Sequence, residues 1–166
     1  MPPKKKVETL IQAIPFLEDK KVRVELVGPR EEDYFKKIQD LITKLNISSR
    51  VLISSPIYDL KEKIKKIDSC KVFVLPSRVE GMPQALIEAK ARVKIVIGSN
   101  SIAIRDLIKN NLNGYLFEFD NPRSLAKTID FALKNNPQNK KIRNQARLFV
   151  EKFSWSKVIS KIESLF

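Results

Sequence analysis

Short β-rich runs alternate with longer amphipathic stretches about five times along this chain, and that alternation restricts its fold more than any other feature. Lys21 to Val27 alternates apolar and polar residues and stops at Gly28-Pro29, as a strand does. Val51–Ile53, Val72–Leu75, Lys94–Ile97 and Tyr115–Phe119 are further strand candidates. The continuous apolar runs at Val72–Leu75 and Lys94–Ile97 suit strands covered on both faces, as in a parallel sheet. Between the strands, helical spacing recurs over 7–17, 31–45, 57–67, 84–91 and 103–110, and again through Leu125, Ile129 and Leu133. Asn121-Pro122 reads as an N-cap followed by a first-turn proline, and Pro83 is placed for the first turn of 84–91. Two more helices are expected over 141–152 and 156–166, with Ser154 as a cap and Trp155 as a core or staple residue. The expectation is an α/β fold with a doubly wound, mostly parallel, Rossmann-like sheet, a single domain over 1–166. A chain of 166 residues buries about two-thirds of its unfolded surface, enough for a core without staples.

Composition removes whole classes of chemistry. The chain has no histidine, which excludes Ser-His-Asp and Cys-His triads and every histidine-based metal site. Its one cysteine, Cys70, reads as structurally buried and permits no internal disulfide or paired-cysteine motif. The four glycines, at 28, 81, 98 and 114, form neither a dinucleotide fingerprint nor a Walker A loop. The formal net charge is +13, spread along the whole length. Such a surplus attracts phosphorylated small molecules, anionic lipid or nucleic acid. No zinc-finger spacing, aromatic RNA-binding motif or GxxG loop marks a specific nucleic-acid binder. No apolar run approaches the roughly 18 residues of a membrane span, and no signal-peptide core follows Lys4-Lys5-Lys6. A cytoplasmic location is expected, with peripheral contact at the inner face of an anionic membrane left open.

In a sheet of this kind the strand carboxyl ends share one edge, and ligands bind there. Three loops leave that edge: Gly28-Pro29-Arg30-Glu31, Pro76 to Pro83, and Gly98-Ser99-Asn100-Ser101. The second is the most informative. Glu80 sits ahead of Gly81 at the mouth of a helix that carries Glu88, with seven residues between the two carboxylates. Gly81 lets a ligand approach the backbone, and the first amides of a helix can cradle a phosphate. Two carboxylates at different depths beside such a cradle can hold a sugar nucleotide. One accepts hydrogen bonds from the ribose hydroxyls, and the other faces a ring where positive charge develops. The same spacing also fits a Glu80 that caps the helix and a Glu88 that is solvated or salt-bridged. Gly28, Arg30, Met82, Pro83 and Ser99 are further candidate donor contacts, although Glu31 and Glu32 offer Arg30 a surface ion pair.

Glu80-Gly81-Met82-Pro83-Gln84-Ala85-Leu86-Ile87-Glu88-Ala89 resembles the E-x7-E signature of retaining GT-B glycosyltransferases, of the family 4 or group 1 type. Leu26-Val27-Gly28 is similar to that family's strand ending, and Val72 to Ser77 to the lead-in of its signature. Asn113 to Phe117 resembles a later strand, and Phe153-Ser154-Trp155 a motif near the C-terminus, so the likeness runs from about Lys5 to Phe166. The resemblance implies the C-terminal, donor-binding half of a two-domain enzyme, with the first strand of that half truncated and the acceptor site in an N-terminal Rossmann-like domain. It implies transfer, with retention, from a UDP-, GDP- or ADP-sugar to a sugar, lipid or protein acceptor, without a cofactor. By similarity Glu80 lies near the transferred sugar, Glu88 binds the donor ribose, and Lys5 neutralises the diphosphate. Lys6 replaces the glycine that follows this lysine in the family, and the family's paired arginine has no counterpart. Glu31-Glu32-Asp33 lacks the D-x-D spacing of metal-dependent glycosyltransferases, so no metal is expected.

Two departures bear on donor binding. Val93 and Ile95 stand where the family pattern has glycine and proline, and Ile102-Ala103 where it has a glycine pair. Side chains at 102 and 103 would narrow the approach of backbone amides to the donor. These changes favour the alternative reading, a non-catalytic nucleotide-sugar-binding or assembly module that kept the fold.

Overall fold

The computed structural model describes residues 5–134 and 137–154, together with Lys157, Ile159 and Glu163. Within them run α1 (Val7–Ala13), β1 (Val24–Val27), α2 (Glu32–Lys44), β2 (Val51–Ser54), α3 (Leu60–Ser69) and β3 (Val72–Leu75). There follow α4 (Gln84–Ala91), β4 (Ile95–Ser99), α5 (Ile102–Leu107), β5 (Tyr115–Phe117), α6 (Pro122–Leu133) and α7 (Pro137–Val150). Trp155 and the helix expected over 156–166 lie outside the described residues, except Lys157, Ile159 and Glu163, which are helical.

Local chemistry explains the boundaries. α1 stops at Ala13 and tightens into a 3-10 turn over Ile14–Phe16, because Pro15 cannot continue an α-helix. α3 starts three residues later than its periodicity suggests. The Asp59 carboxylate accepts from the Glu62 N–H and sets the cap there. The Asn121 side chain caps α6 in the same way, with Pro122 in the first turn as expected. α7 starts at Pro137 rather than 141, and the Asn139 side chain donates to the carbonyls of Ala132 and Lys134 at the end of α6.

Among the described residues every strand pairing is parallel, in line with the mostly parallel sheet expected. β1 pairs with β2, and β3 pairs with β4, which pairs with β5, giving two sheets rather than one. Helices cover both faces. Ile95 and Ile97 of β4 point into a core with α1, α2 and α6, while Val96 packs with Leu86, Ile104 and Ile108 of the α4–α5 side. β4 is buried along its whole length, as an apolar run in a parallel sheet should be. The Val72–Leu75 run differs from expectation: only Leu75 is buried, and the other three residues are half-buried. The reason is a groove of about 1440 Å³ that separates β1 from β3 and borders both. The chain steps outward from β1 to β2 on one side of this groove and from β3 to β5 on the other. The order of the strands therefore reverses across it, and such a reversal leaves a crevice at the carboxyl ends of the strands.

Candidate functional site

Lys5, Gly28 and Glu88 all border the groove, from three separate elements. Gly28 follows β1, Glu88 lies in α4, and Lys5 precedes α1. Lys5 Nζ donates to Glu80 Oε1 at 2.7 Å, which ties the start of α1 to the loop between β3 and α4. The Glu80 side chain is 10% exposed and that of Lys5 is 39% exposed, so the ammonium reaches from solvent to a sheltered carboxylate. Glu80 is therefore held by a lysine, and it does not cap α4, whose N-cap makes no side-chain hydrogen bond. Glu88 Oε1 accepts from Lys63 Nζ at 2.9 Å. Lys63 was not legible as a site residue. It stands among four lysines in a solvated stretch of α3, and only the tertiary fold turns it toward Glu88.

The helix that carries Glu88 begins at Pro83. The Gln84 N–H bonds to the Met82 carbonyl, and the Leu86 and Ile87 N–H groups bond to that of Pro83. Gly81 is bounded by open space: a Cβ there would meet no atom within 4 Å. The protein's own packing does not require glycine at 81. The reverse holds at Gly98, where a Cβ would stand 2.4 Å from Ile104 Cγ2, so this glycine lets α5 lie close on β4. Ser99 is fully buried, and its hydroxyl turns inward to the Ser77 carbonyl, where it joins the ends of β3 and β4. The Ser77 hydroxyl beside it is buried with no partner among the described residues. Arg30 makes no ion pair with Glu31 or Glu32; its guanidinium lies over the Phe35 ring at 4.8 Å. Met82, Val79 and Ile102 are exposed around these loops, and Ile102, at 75% exposure, projects to solvent.

Lys6, which replaces the family's glycine, has φ 48, the left-handed conformation that glycine accepts most readily. Its ammonium donates to Asp120 Oδ2 at 2.8 Å, and Thr9 donates to the other oxygen at 2.9 Å. The hydrogen bond from Lys6 is the largest cause that holds the Asp120 carboxyl below its usual range, and Arg78 adds to it. Lys90 is a second residue that sequence reasoning passed over. Its side chain is fully buried, its Nζ donates to the Leu107 carbonyl at 2.6 Å, and it lies 4.7 Å from the centre of the Phe149 ring. Burial, and secondarily the charge of Lys152, pushes its ammonium down to about 7. A lysine between Ala89 and Ala91 on an inward helix was the available signal. Cys70, expected to be buried, is half-buried at the groove and donates its thiol to the Ile67 carbonyl, and burial raises its pKa.

Among the described residues no cluster of three or more His, Cys, Asp or Glu side chains could hold a metal ion. No described helix is long and apolar enough to cross a membrane.

The model of the glycosyl transferases group 1 family matches residues 1–149, and the chain belongs to that family. It is 29% identical over 164 residues to an uncharacterized glycosyltransferase of Methanocaldococcus jannaschii, covering 99% of this chain and 45% of the relative. It is 31% identical over 124 residues to the Escherichia coli UDP-Gal:alpha-D-GlcNAc-diphosphoundecaprenol alpha-1,3-galactosyltransferase, covering 75% of this chain and 31% of the relative. The chain thus spans less than half the length of these curated relatives. Its fold is similar to that of Anabaena HepE in complex with UDP and glucose, with TM-score 0.91, 20% identity, and coverage of 99% of this chain and 45% of HepE. The C-terminal domain of a group 1 glycosyl transferase from Francisella tularensis superposes with TM-score 0.80 at 20% identity, covering 92% of this chain and 80% of that domain.

Proposed function

We propose that this chain is the donor-binding part of a sugar transferase that takes a glycosyl group from a nucleotide-diphosphate sugar with retention at the anomeric carbon. The observation that carries this reading is the Lys5–Glu80 ion pair at the rim of a groove that Glu88 and Gly28 also border. The Lys5 ammonium and Glu88 then border one groove, and Glu80 adjoins it through its ion pair with Lys5. The E. coli relative uses a UDP-sugar and Anabaena HepE binds UDP, which supports a nucleotide diphosphate as the leaving group here.

In this mechanism the donor ribose hydroxyls bond to the free carboxylate oxygen of Glu88, while Lys63 holds the other oxygen in place. Lys5 moves from Glu80 to the diphosphate and neutralises the charge that grows as the glycosidic bond breaks. Glu80, freed of its lysine, faces the anomeric carbon and stabilises its developing positive charge. The open space at Gly81 admits the sugar close to the backbone. No metal or other cofactor is assigned a role. The acceptor is a sugar, lipid or protein bound by polypeptide outside this chain.

Calorimetric titration of the chain with UDP, GDP and ADP tests the donor site. Binding of one of them, weakened at least about tenfold in Glu88→Gln, is the expected result. Absence of binding to all three overturns the reading. In a protein that also carries the acceptor-binding part, Glu80→Gln should lower turnover by roughly two to four orders of magnitude. Turnover within a few-fold of the unsubstituted protein would reject that role for Glu80.

A further inference from the structure

Lys6 and Asp120, which meet at 2.8 Å, share a feature that ion pairing alone does not require. Both have left-handed backbones, Lys6 at φ 48 and Asp120 at φ 58. An aspartate enters that region readily, because its short side chain bonds locally. A lysine has no such help, and there its population falls roughly five- to thirtyfold relative to the right-handed conformation. Lys6 therefore needs a hold from outside the local chain. Its ammonium supplies one. It donates to Asp120 Oδ2, in the turn between β5 and α6, and lies 4.0 Å from Glu8 Oε1 and 5.8 Å from the centre of the Phe119 ring. The other Asp120 oxygen accepts from the Thr9 hydroxyl at 2.9 Å, so one carboxylate grips α1 both ahead of its first turn and within it.

Lys6 is also the joint between a fixed element and the candidate site. α1 is fixed from its first residue: the Val7 N–H donates to the Tyr34 hydroxyl at 3.1 Å, and that hydroxyl donates to the Glu8 carboxylate. On the other side of the joint, the Lys5 ammonium reaches Glu80 at 2.7 Å. The torsion φ of residue 6 sets the direction in which Lys5 leaves α1. A right-handed Lys6 differs in φ by roughly 110°, which turns Lys5 off its line to Glu80. We propose that Asp120 is a positioning residue for Lys5: by clasping Lys6 it holds the left-handed joint that directs the Lys5 ammonium into the site against Glu80. The clasp stands on geometry, and the use made of Lys5 rests on the transferase reading. The dependence is conditional. Asp120 matters to Lys5 only while residue 6 carries a Cβ, because glycine holds this backbone without a clasp.

The test compares the unsubstituted chain with Asp120→Gly, Lys6→Met, Lys6→Gly and the double variant Asp120→Gly/Lys6→Gly. Glycine keeps the left-handed backbone at 120, so Asp120→Gly removes the carboxylate without straining its own turn. Lys6→Met breaks the clasp from the other end and decides the matter if Asp120→Gly does not fold. The first readout needs no nucleotide. Reductive methylation of each lysine is followed by mass spectrometry, with Lys63, paired with Glu88 at 2.9 Å, as internal reference. Freeing Lys5 from Glu80 should speed its methylation about two- to fivefold. That acceleration is expected in Asp120→Gly and Lys6→Met, with Lys63 unchanged, and is expected to be absent from Lys6→Gly and the double variant. An unchanged Lys5 rate in the first two, equal acceleration at Lys63, or a double variant as fast as Asp120→Gly overturns the proposal. The second readout is calorimetric. For whichever of UDP, GDP and ADP the chain binds, the preference for diphosphate over monophosphate should fall about threefold or more in Asp120→Gly and return in the double variant. An unchanged preference also overturns the proposal. Absence of binding to all three in the unsubstituted chain is failure of the donor reading, and the methylation rates then decide the clasp by themselves.

Discussion

Lys90 shows how much one side chain can hold against its own hydration. Its ammonium is enclosed by α4, the end of α5 and the Phe149 ring, with Lys152 the neighbouring charge. The folded value of about 7 lies below the ordinary 10.5, so between these limits the unfolded chain binds a proton that the folded chain does not. Stability therefore rises with pH through that window, falls as pH drops from 10.5 toward 7, and levels off below it. Lys90→Met should raise stability near neutral pH by on the order of 2 kcal/mol and should flatten this slope. Urea unfolding of both proteins at several values within the window measures it; equal slopes in the two would reject the assignment. Asp120 adds a slope of the same sign at the acid end of the scale. Its carboxyl is held down chiefly by the hydrogen bond from Lys6, so the stability it contributes is present above the unfolded carboxylate range and is lost as pH falls through its folded value. Asp120→Asn should reduce the acid sensitivity of unfolding. An unchanged acid midpoint would show that the Lys6 pair carries no such linkage.

The end of α4 is a place where an element departs from its best residue. Val93 follows the helix at φ 58, with its N–H bonded to the Lys90 carbonyl and the Lys94 N–H bonded to that of Ala89. This is the closing motif that usually holds glycine, and a β-branched residue there is strained by about 1–2 kcal/mol. Val93 is 40% exposed, so little burial is lost on truncation. Val93→Gly should stabilise the protein by about 1 kcal/mol, a rise of about 2–4 °C in Tm. A lower Tm would show that the valine side chain matters more than its backbone. The same position shows what was legible in the sequence. The family pattern marked 93 as unusual, but its left-handed backbone is visible only in three dimensions. The α2 stripe of Tyr34, Ile38 and Ile42 stood out because burial repeats at a fixed interval, and Val72–Leu75 stood out as a continuous apolar run. Helix starts set by a side-chain cap, such as Asp59, shifted by a few residues. The Lys5–Glu80 and Lys63–Glu88 pairs span 75 and 25 residues, and nothing local encodes such meetings.

For the whole molecule the net charge of +13 sets long-range behaviour. A nucleotide diphosphate is drawn to such a surface, and the attraction is screened by salt. Its affinity should fall by about three- to tenfold as salt rises from about 0.05 to about 0.5 M. A salt-independent affinity would mean that contacts within the site decide binding and the surface does not. The two sheets also carry a mechanical consequence. Gly28 rides on one ribbon of strands, and Glu80 and Glu88 follow the other. Among the described residues no rung joins the ribbons, so whatever wedges them apart or draws them together becomes a dial for the proposed ligand mouth. A substitution deep beneath that mouth could then retune specificity without altering any residue that touches the sugar.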